Sequence, residues 1–189
     1  MNINNLIEIF YSNPGVRNDR IDYHGVQEVL NLIENEYVKV EKKKVISRNK
    51  YEEMIANVLN GKIKIIDYQG GGNKHIALKV IAENYIQDNF NLKSKFEENY
   101  FGRIPDVITI DESIIFECGD TDPWKIIEYF RANDNIKLFL LPYIDVDQKE
   151  LSAYQFLKNK KGLKEYLLAR QLDSLSDVRK LINSRKSPK

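Results

Sequence analysis

Asp106 and Glu117 are the residues of this chain whose setting asks for chemistry. Each is an acid embedded in an apolar run, "PDVITI" and "SIIFEC", and the acidic pair Asp111-Glu112 lies between the runs. Both runs read as short strands. Side chains alternate faces along a strand, so Phe116 and Cys118 share one face while Glu117 and Gly119 share the other. An antiparallel hairpin through Asp111-Glu112 lays the start of one run beside the end of the other. The carboxylates of Asp106 and Glu117 then meet at one edge of a sheet, where like charges repel unless a cation lies between them. Oxygen donors with no His nearby in sequence, and with Cys118 expected on the opposite face, favour Mg²⁺ or Mn²⁺ over zinc. Cys118 is expected to point away, into a core, and to be inert.

The elements that must position these acids follow from periodicity and punctuation. Residues 74–86 ("NKHIALKVIAENYI" from Asn73) have helical spacing that buries Ala77, Leu78, Ile81, Ala82 and Tyr85. "SKFEENY" reads as a strand ahead of the hairpin. Asp122-Pro123 reads as an N-cap followed by proline in the first helical position, and that helix runs to about Ala132. "IKLFLLPY" is then a further strand. The order from 74 to 144 is helix, strand, strand, strand, helix, strand, an α/β arrangement (α+β, with a mixed sheet). On the first of these helices His75, Lys79 and Glu83 recur at i, i+4 and form one polar stripe. Asp120 and Asp122 read as turn and cap residues.

Around this core, residues 1–61 read as a mostly helical lead-in. Helices are expected over 3–12 and from about Tyr23 to Glu36, with "NPGVRND" as a loop between them. "YVKVEKKKVI" is extended, and Asn49 with Glu52 resembles a capping box ahead of Met54, Ile55, Val58 and Leu59. The core is expected to span 62–146 and to open with "KIKIIDY" as a strand before Gly70-Gly71-Gly72. From Lys149 the chain reads as helical (Leu151, Tyr154, Leu157, then Leu163, Tyr166, Leu167, then about 175–182), so 147–189 is expected to be C-terminal helices and a basic tail. All three segments are expected to form one compact domain.

Composition narrows the function classes. Across 189 residues, 42% are hydrophobic and 30% charged, with a net charge of +1, which suits a soluble globular protein. No apolar run approaches bilayer length and the N-terminus lacks a secretory pattern, so no membrane association is expected. One cysteine excludes an intramolecular disulfide and fits a cytoplasmic location. Two basic clusters, Lys42-Lys43-Lys44 with Arg48 and Lys50, and Arg179, Lys180, Arg185, Lys186 and Lys189, read either as solvated surface or as phosphate contacts. The glycine run lacks both the P-loop and the dinucleotide spacing. It reads as a connector or as a contact for a nucleic-acid backbone, and a nucleotide-dependent enzyme is the reading it would otherwise favour.

Pro105-Asp106, Glu117 eleven positions after the aspartate, and the element order over 74–144 resemble the PD-(D/E)xK (restriction-endonuclease-like) nuclease superfamily. The resemblance implies an αβββαβ core with N- and C-terminal helical additions. It also implies Mg²⁺- or Mn²⁺-dependent hydrolysis of a nucleic-acid phosphodiester, DNA being the expected substrate. It makes Asp106 and Glu117 the metal ligands, joined by Glu83 from the first core helix. The motif's lysine falls at position 119, where this chain has Gly119. The resemblance therefore implies a relocated lysine, Lys125 first and Lys79 second, with His75 as a further polar neighbour. Gly119 is expected to leave empty space for it on the site face. Small nucleases that cut both strands often act as two-fold dimers, so a homodimer is among the implied partners. The absent motif lysine equally suits a catalytically inactive nuclease fold that binds nucleic acid or protein.

Overall fold

The computed structural model describes residues 1–12, 21–64, 68, 71–144 and 147–170. The helices begin where the sequence supplies caps. Asn2 caps α1 (Ile3–Phe10) by accepting from Asn5 N–H at 3.0 Å. Asp22 caps α2 (Tyr23–Glu34) through Gly25 N–H at 3.0 Å, and its other oxygen accepts from the Trp124 indole at 2.7 Å. A strand, β1 (Val38–Ser47), leads into α3 (Arg48–Leu59). The capping box expected at Asn49 and Glu52 does not form. The N-cap is Ser47, Asn49 already lies inside the helix, and Glu52 is taken by Arg48 at 2.7 Å.

Residues 62 and 63 form a bend and 64 is irregular, rather than the start of a strand. Lys62 and Ile63 donate back to the Asn57 carbonyl at 3.0 and 3.3 Å, a Schellman-type closure that ends α3 and turns the chain away. Positions 65–67 of that expected strand lie outside the described residues, as do the expected 13–19 loop (apart from its surroundings at 11–12 and 21–22) and the basic cluster at 179–189.

From there the chain forms α4 (Asn73–Phe90), β2 (Ser94–Phe96), β3 (Val107–Thr109), β4 (Ile114–Cys118), α5 (Pro123–Ala132) and β5 (Lys137–Leu141). Asp122 caps α5 as expected, accepting from Trp124 N–H at 3.0 Å with Pro123 in the first turn. The described residues continue with β6 (Glu150–Lys158) and a helix, α6 (163–170).

One six-stranded mixed sheet runs β1-β6-β5-β4-β3-β2. Only β4 and β5 are parallel, joined by the α5 crossover, and the other pairs are antiparallel. Both faces are buried. Ile108, Ile115, Leu138, Leu140 and Phe156 pack beneath α1, α2, α5 and α6. Val107, Phe116, Phe139, Leu151 and Ala153 pack beneath α3 and α4. Cys118 is buried in this second layer, as expected.

Between Lys149 and Lys158 the structure corrects the helical expectation, while the helix expected around Leu163, Tyr166 and Leu167 forms as α6. Residues 150–158 are an interior strand, paired with β1 on one side and β5 on the other. Leu151 and Ala153 face the α3/α4 layer while Phe156 faces the opposite layer. A strand buried on both faces loses the apolar–polar alternation that marks a half-buried one, and Leu151, Tyr154 and Leu157 then mimic a three-residue repeat. The lead-in is likewise part of the sheet, because β1 forms its edge.

Three members of the first basic cluster, Lys43 and Lys44 on that edge and Arg48 at the start of α3, are paired with acids. Lys43 pairs with Glu41 at 2.6 Å, Lys44 with Glu150 at 2.8 Å and Arg48 with Glu52 at 2.7 Å. Charged, locally neutralised side chains on an exposed edge strand guard it against pairing with other chains.

Candidate metal and acid–base site

The β3–β4 hairpin is antiparallel, with Val107 opposite Phe116. Extending the ladder by one step sets Asp106 beside Glu117, and Cys118 N–H donates to Asp106 Oδ2 at 2.7 Å. The two acids do meet at one end of the hairpin, yet each has its own retinue.

Asp106 belongs to a cluster built by α4 and the residue after β2. His75 Nε2 lies 3.0 Å from Asp106 Oδ1, and Lys79 Nζ lies 4.0 Å from the same oxygen. Lys79 is fully buried, pairs with Glu97 and donates to the Tyr68 carbonyl at 3.0 Å. Gly71 leaves room for the imidazole, since a Cβ at that position would lie 2.5 Å from His75 Cδ2. Among the described residues, His75, Glu97 and Asp106 each offer a ligand atom, and the three atoms lie within 4.8 Å of one another. Histidine is thus absent near the acids in sequence and present in space, carried in by α4. Burial raises the Asp106 proton affinity, but the His75 hydrogen bond and charge, the Cys118 N–H and the Lys125 charge outweigh it and hold the carboxyl below its usual range.

Glu117 is 1% exposed and is held by α5. Lys125 Nζ donates to Glu117 Oε2 at 2.6 Å and to the Ile104 carbonyl at 3.1 Å, and the Tyr129 hydroxyl donates to Glu117 Oε1 at 2.5 Å. Burial pushes the Glu117 carboxyl up to about 7, with Lys125 pulling it down and the Asp106 charge pushing it further up. Burial and the neighbouring Glu117 charge also raise the Tyr129 phenol. Lys125 and Tyr129 sit one helical turn apart on one face of α5, so a single helix supplies both donors.

Of the residues expected at the site, Asp106, His75 and Lys79 are gathered in one group, and Glu117 with Lys125 in the adjoining one. Glu83 does not join them; its carboxylate accepts from the Tyr68 hydroxyl at 3.1 Å. Glu97 and Tyr129 escaped the sequence reading. Glu97 has a left-handed backbone (φ +49°) directly after β2, an unfavourable conformation for a residue of its type, and this bend turns its carboxylate toward Lys79.

The space expected at Gly119 does not exist. Gly119 has φ +76°, and a Cβ there would lie 2.6 Å from the Tyr143 ring. A lysine at this position is disfavoured by the backbone and requires Tyr143 to shift, and the cation beside Glu117 comes instead from Lys125 of α5.

The cluster lines neither of two clefts elsewhere on the molecule, one of about 370 Å³ between α1 and β6 and one of about 510 Å³ beside β1, α3 and α4. No helix among the described residues is long and apolar enough to cross a membrane. No protein-family model, curated protein or solved structure matches this chain.

Proposed function

We propose that the protein is a metal-dependent nuclease that hydrolyses nucleic-acid phosphodiester bonds, with DNA as the expected substrate. The observation that carries this reading is one hairpin end joining a three-residue metal-donor group (His75, Glu97, Asp106) to a Lys125–Glu117 pair. The donor set, one imidazole nitrogen and two carboxylates, fits a hard or borderline divalent cation, and the nitrogen shifts the preference from Mg²⁺ toward Mn²⁺. Such a cation supplies Lewis acidity toward a phosphate oxygen and lowers the pKa of water.

The chain's own residues divide the remaining work. Asp106 links the two groups, since Oδ1 faces His75 and Oδ2 is fixed by Cys118 N–H. Glu117 and the Ile104 carbonyl hold the Lys125 ammonium, whose side chain stays 22% exposed, where it can orient a water or neutralise charge that develops on the phosphate.

One observation favours a second reading, an inactive nuclease-like module that binds nucleic acid. The buried Lys79 ammonium already pairs with Glu97 and stands 4.0 Å from Asp106, so these acids have a cation without a metal. Calorimetric titration with MnCl₂, alongside a cleavage assay, separates the two. Mn²⁺ binding that is lost in Asp106→Asn, accompanied by cutting, supports the nuclease. Nucleic-acid binding without metal binding or cutting supports the module.

A further inference from the structure

The turn between Glu97 and Asp106 carries a side chain that the catalytic reading does not use. Tyr100 and Arg103 close a two-residue hairpin, with Tyr100 N–H to Arg103 O at 2.7 Å and Arg103 N–H to Tyr100 O at 3.1 Å. At its tip Phe101 is 74% exposed, more than any other large hydrophobic residue described. Its backbone has φ +51°, a conformation that is an outlier for a bulky residue and that Asn would adopt with less strain. Neither folding nor solubility calls for a phenyl ring there.

The tip is connected to the site by packing and by hydrogen bonds. The Phe101 ring packs edge-on against Tyr100 (4.9 Å between centroids), Tyr100 packs against Tyr129 (6.0 Å), and the Tyr129 hydroxyl reaches Glu117. Arg103 pairs with Glu128 of α5 through two guanidinium nitrogens, and the next carbonyl, Ile104 O, accepts from Lys125. Ile104 itself is 55% exposed. Phe101 precedes Asp106 by five positions, a reach of at most about 17 Å, or the span of a few nucleotides.

We infer that Phe101 is a stacking platform for an unpaired nucleobase next to the scissile phosphate, and that the substrate is single-stranded or frayed at the cleavage point. This rests on the nuclease reading. An exposed ring held beside a phosphate-handling site offers a face on which any base can stack, whereas bases inside an intact duplex are already stacked on their neighbours and give it no purchase.

The test measures binding by fluorescence anisotropy in Ca²⁺, with a fluorescein-labelled twelve-nucleotide single strand and the matching blunt duplex. Phe101→Asn keeps a residue that tolerates the left-handed backbone, and Phe101→Tyr keeps a ring. Phe101→Asn is expected to weaken single-strand binding about ten-fold or more, and to change duplex binding by less than about two-fold. Phe101→Tyr is expected to bind as the parent does. Single-strand affinity unchanged in Phe101→Asn, or an equal loss on duplex, overturns the inference. If the parent cuts nucleic acid while Phe101→Asn binds normally, only the stacking role falls. If the parent neither binds nor cuts, the nuclease reading falls and takes this inference with it.

Discussion

Lys125 Nζ lies 2.6 Å from Glu117 Oε2, and this contact crosses from the first turn of α5 to the second-last residue of β4. Glu117 is almost fully buried while Lys125 is partly open to solvent, so the acid anchors the ammonium and the ammonium faces outward. Lys125→Met is expected to lower metal-dependent cleavage by about 100-fold or more while leaving an intact fold by circular dichroism. Because the Lys125 charge lowers the Glu117 proton affinity, the same variant should also move the Glu117 titration, followed by carboxyl ¹³C NMR, to higher pH. Full activity in Lys125→Met would remove it from the site.

Glu117 gives stability a pH dependence of defined sign. Its carboxyl rises from 4.5 to about 7 on folding, so the folded chain binds its proton more tightly than the unfolded chain does. The associated stability is present below about 4.5 and is lost as pH rises through about 7. Glu117→Gln cannot titrate. Relative to the parent it should gain stability between pH 5 and pH 8, by roughly 2–3 kcal/mol at most, in urea unfolding at the two values. Parallel unfolding curves at both pH values would mean that Glu117 does not titrate in this range.

Placing a lysine at position 119 should damage the protein instead of improving it. The positive φ of Gly119 and the Tyr143 ring 2.6 Å from its Cβ position together predict a loss of at least about 1–3 kcal/mol for Gly119→Ala or Gly119→Lys. Combining Gly119→Ala with Tyr143→Ala relieves the contact but not the backbone, so it should recover part of the excess loss, as read from a double-mutant cycle in urea. An undiminished denaturation midpoint in Gly119→Lys would show that the loop after β4 rearranges freely.

The legible part of this molecule was the stretch whose elements alternate in character. The hairpin, the Asp122-Pro123 start of α5 and the meeting of Asp106 with Glu117 follow from short-range signals that the fold preserves. What failed was β6, because burial on both faces erases strand periodicity, and the 62–64 segment, where the closure of α3 overrode β propensity. At the site, Glu97 was hidden because nothing in "FEEN" separates it from Glu98; its role comes from a backbone bend visible only in three dimensions. Tyr129 had a readable signal, its i, i+4 spacing from Lys125, but that spacing acquires meaning only once α5 is packed against β4. Glu83 shares the stripe of His75 and Lys79 but points at Tyr68 one turn further along.

Lys79 offers a way to ask whether the acids are built for a metal. Its buried ammonium occupies the neighbourhood of Glu97 and Asp106. Lys79→Met leaves two carboxylates without it and should cost about 3 kcal/mol in the absence of metal. Mn²⁺ should then restore more stability to Lys79→Met than to the parent, seen as a larger rise in melting temperature at equal metal concentration. Equal shifts would indicate that no metal competes with this lysine.

The most direct measurement is cleavage of a DNA panel (linear duplex, single strand, supercoiled circle and four-way junction) in Mg²⁺, Mn²⁺ or EDTA, with Glu117→Ala and Asp106→Asn in parallel. Metal-dependent cutting by the parent that disappears in EDTA and in both variants is the predicted result, with folded variants confirmed by thermal unfolding. Absence of cutting under every condition, or cutting that survives Asp106→Asn, would contradict the account.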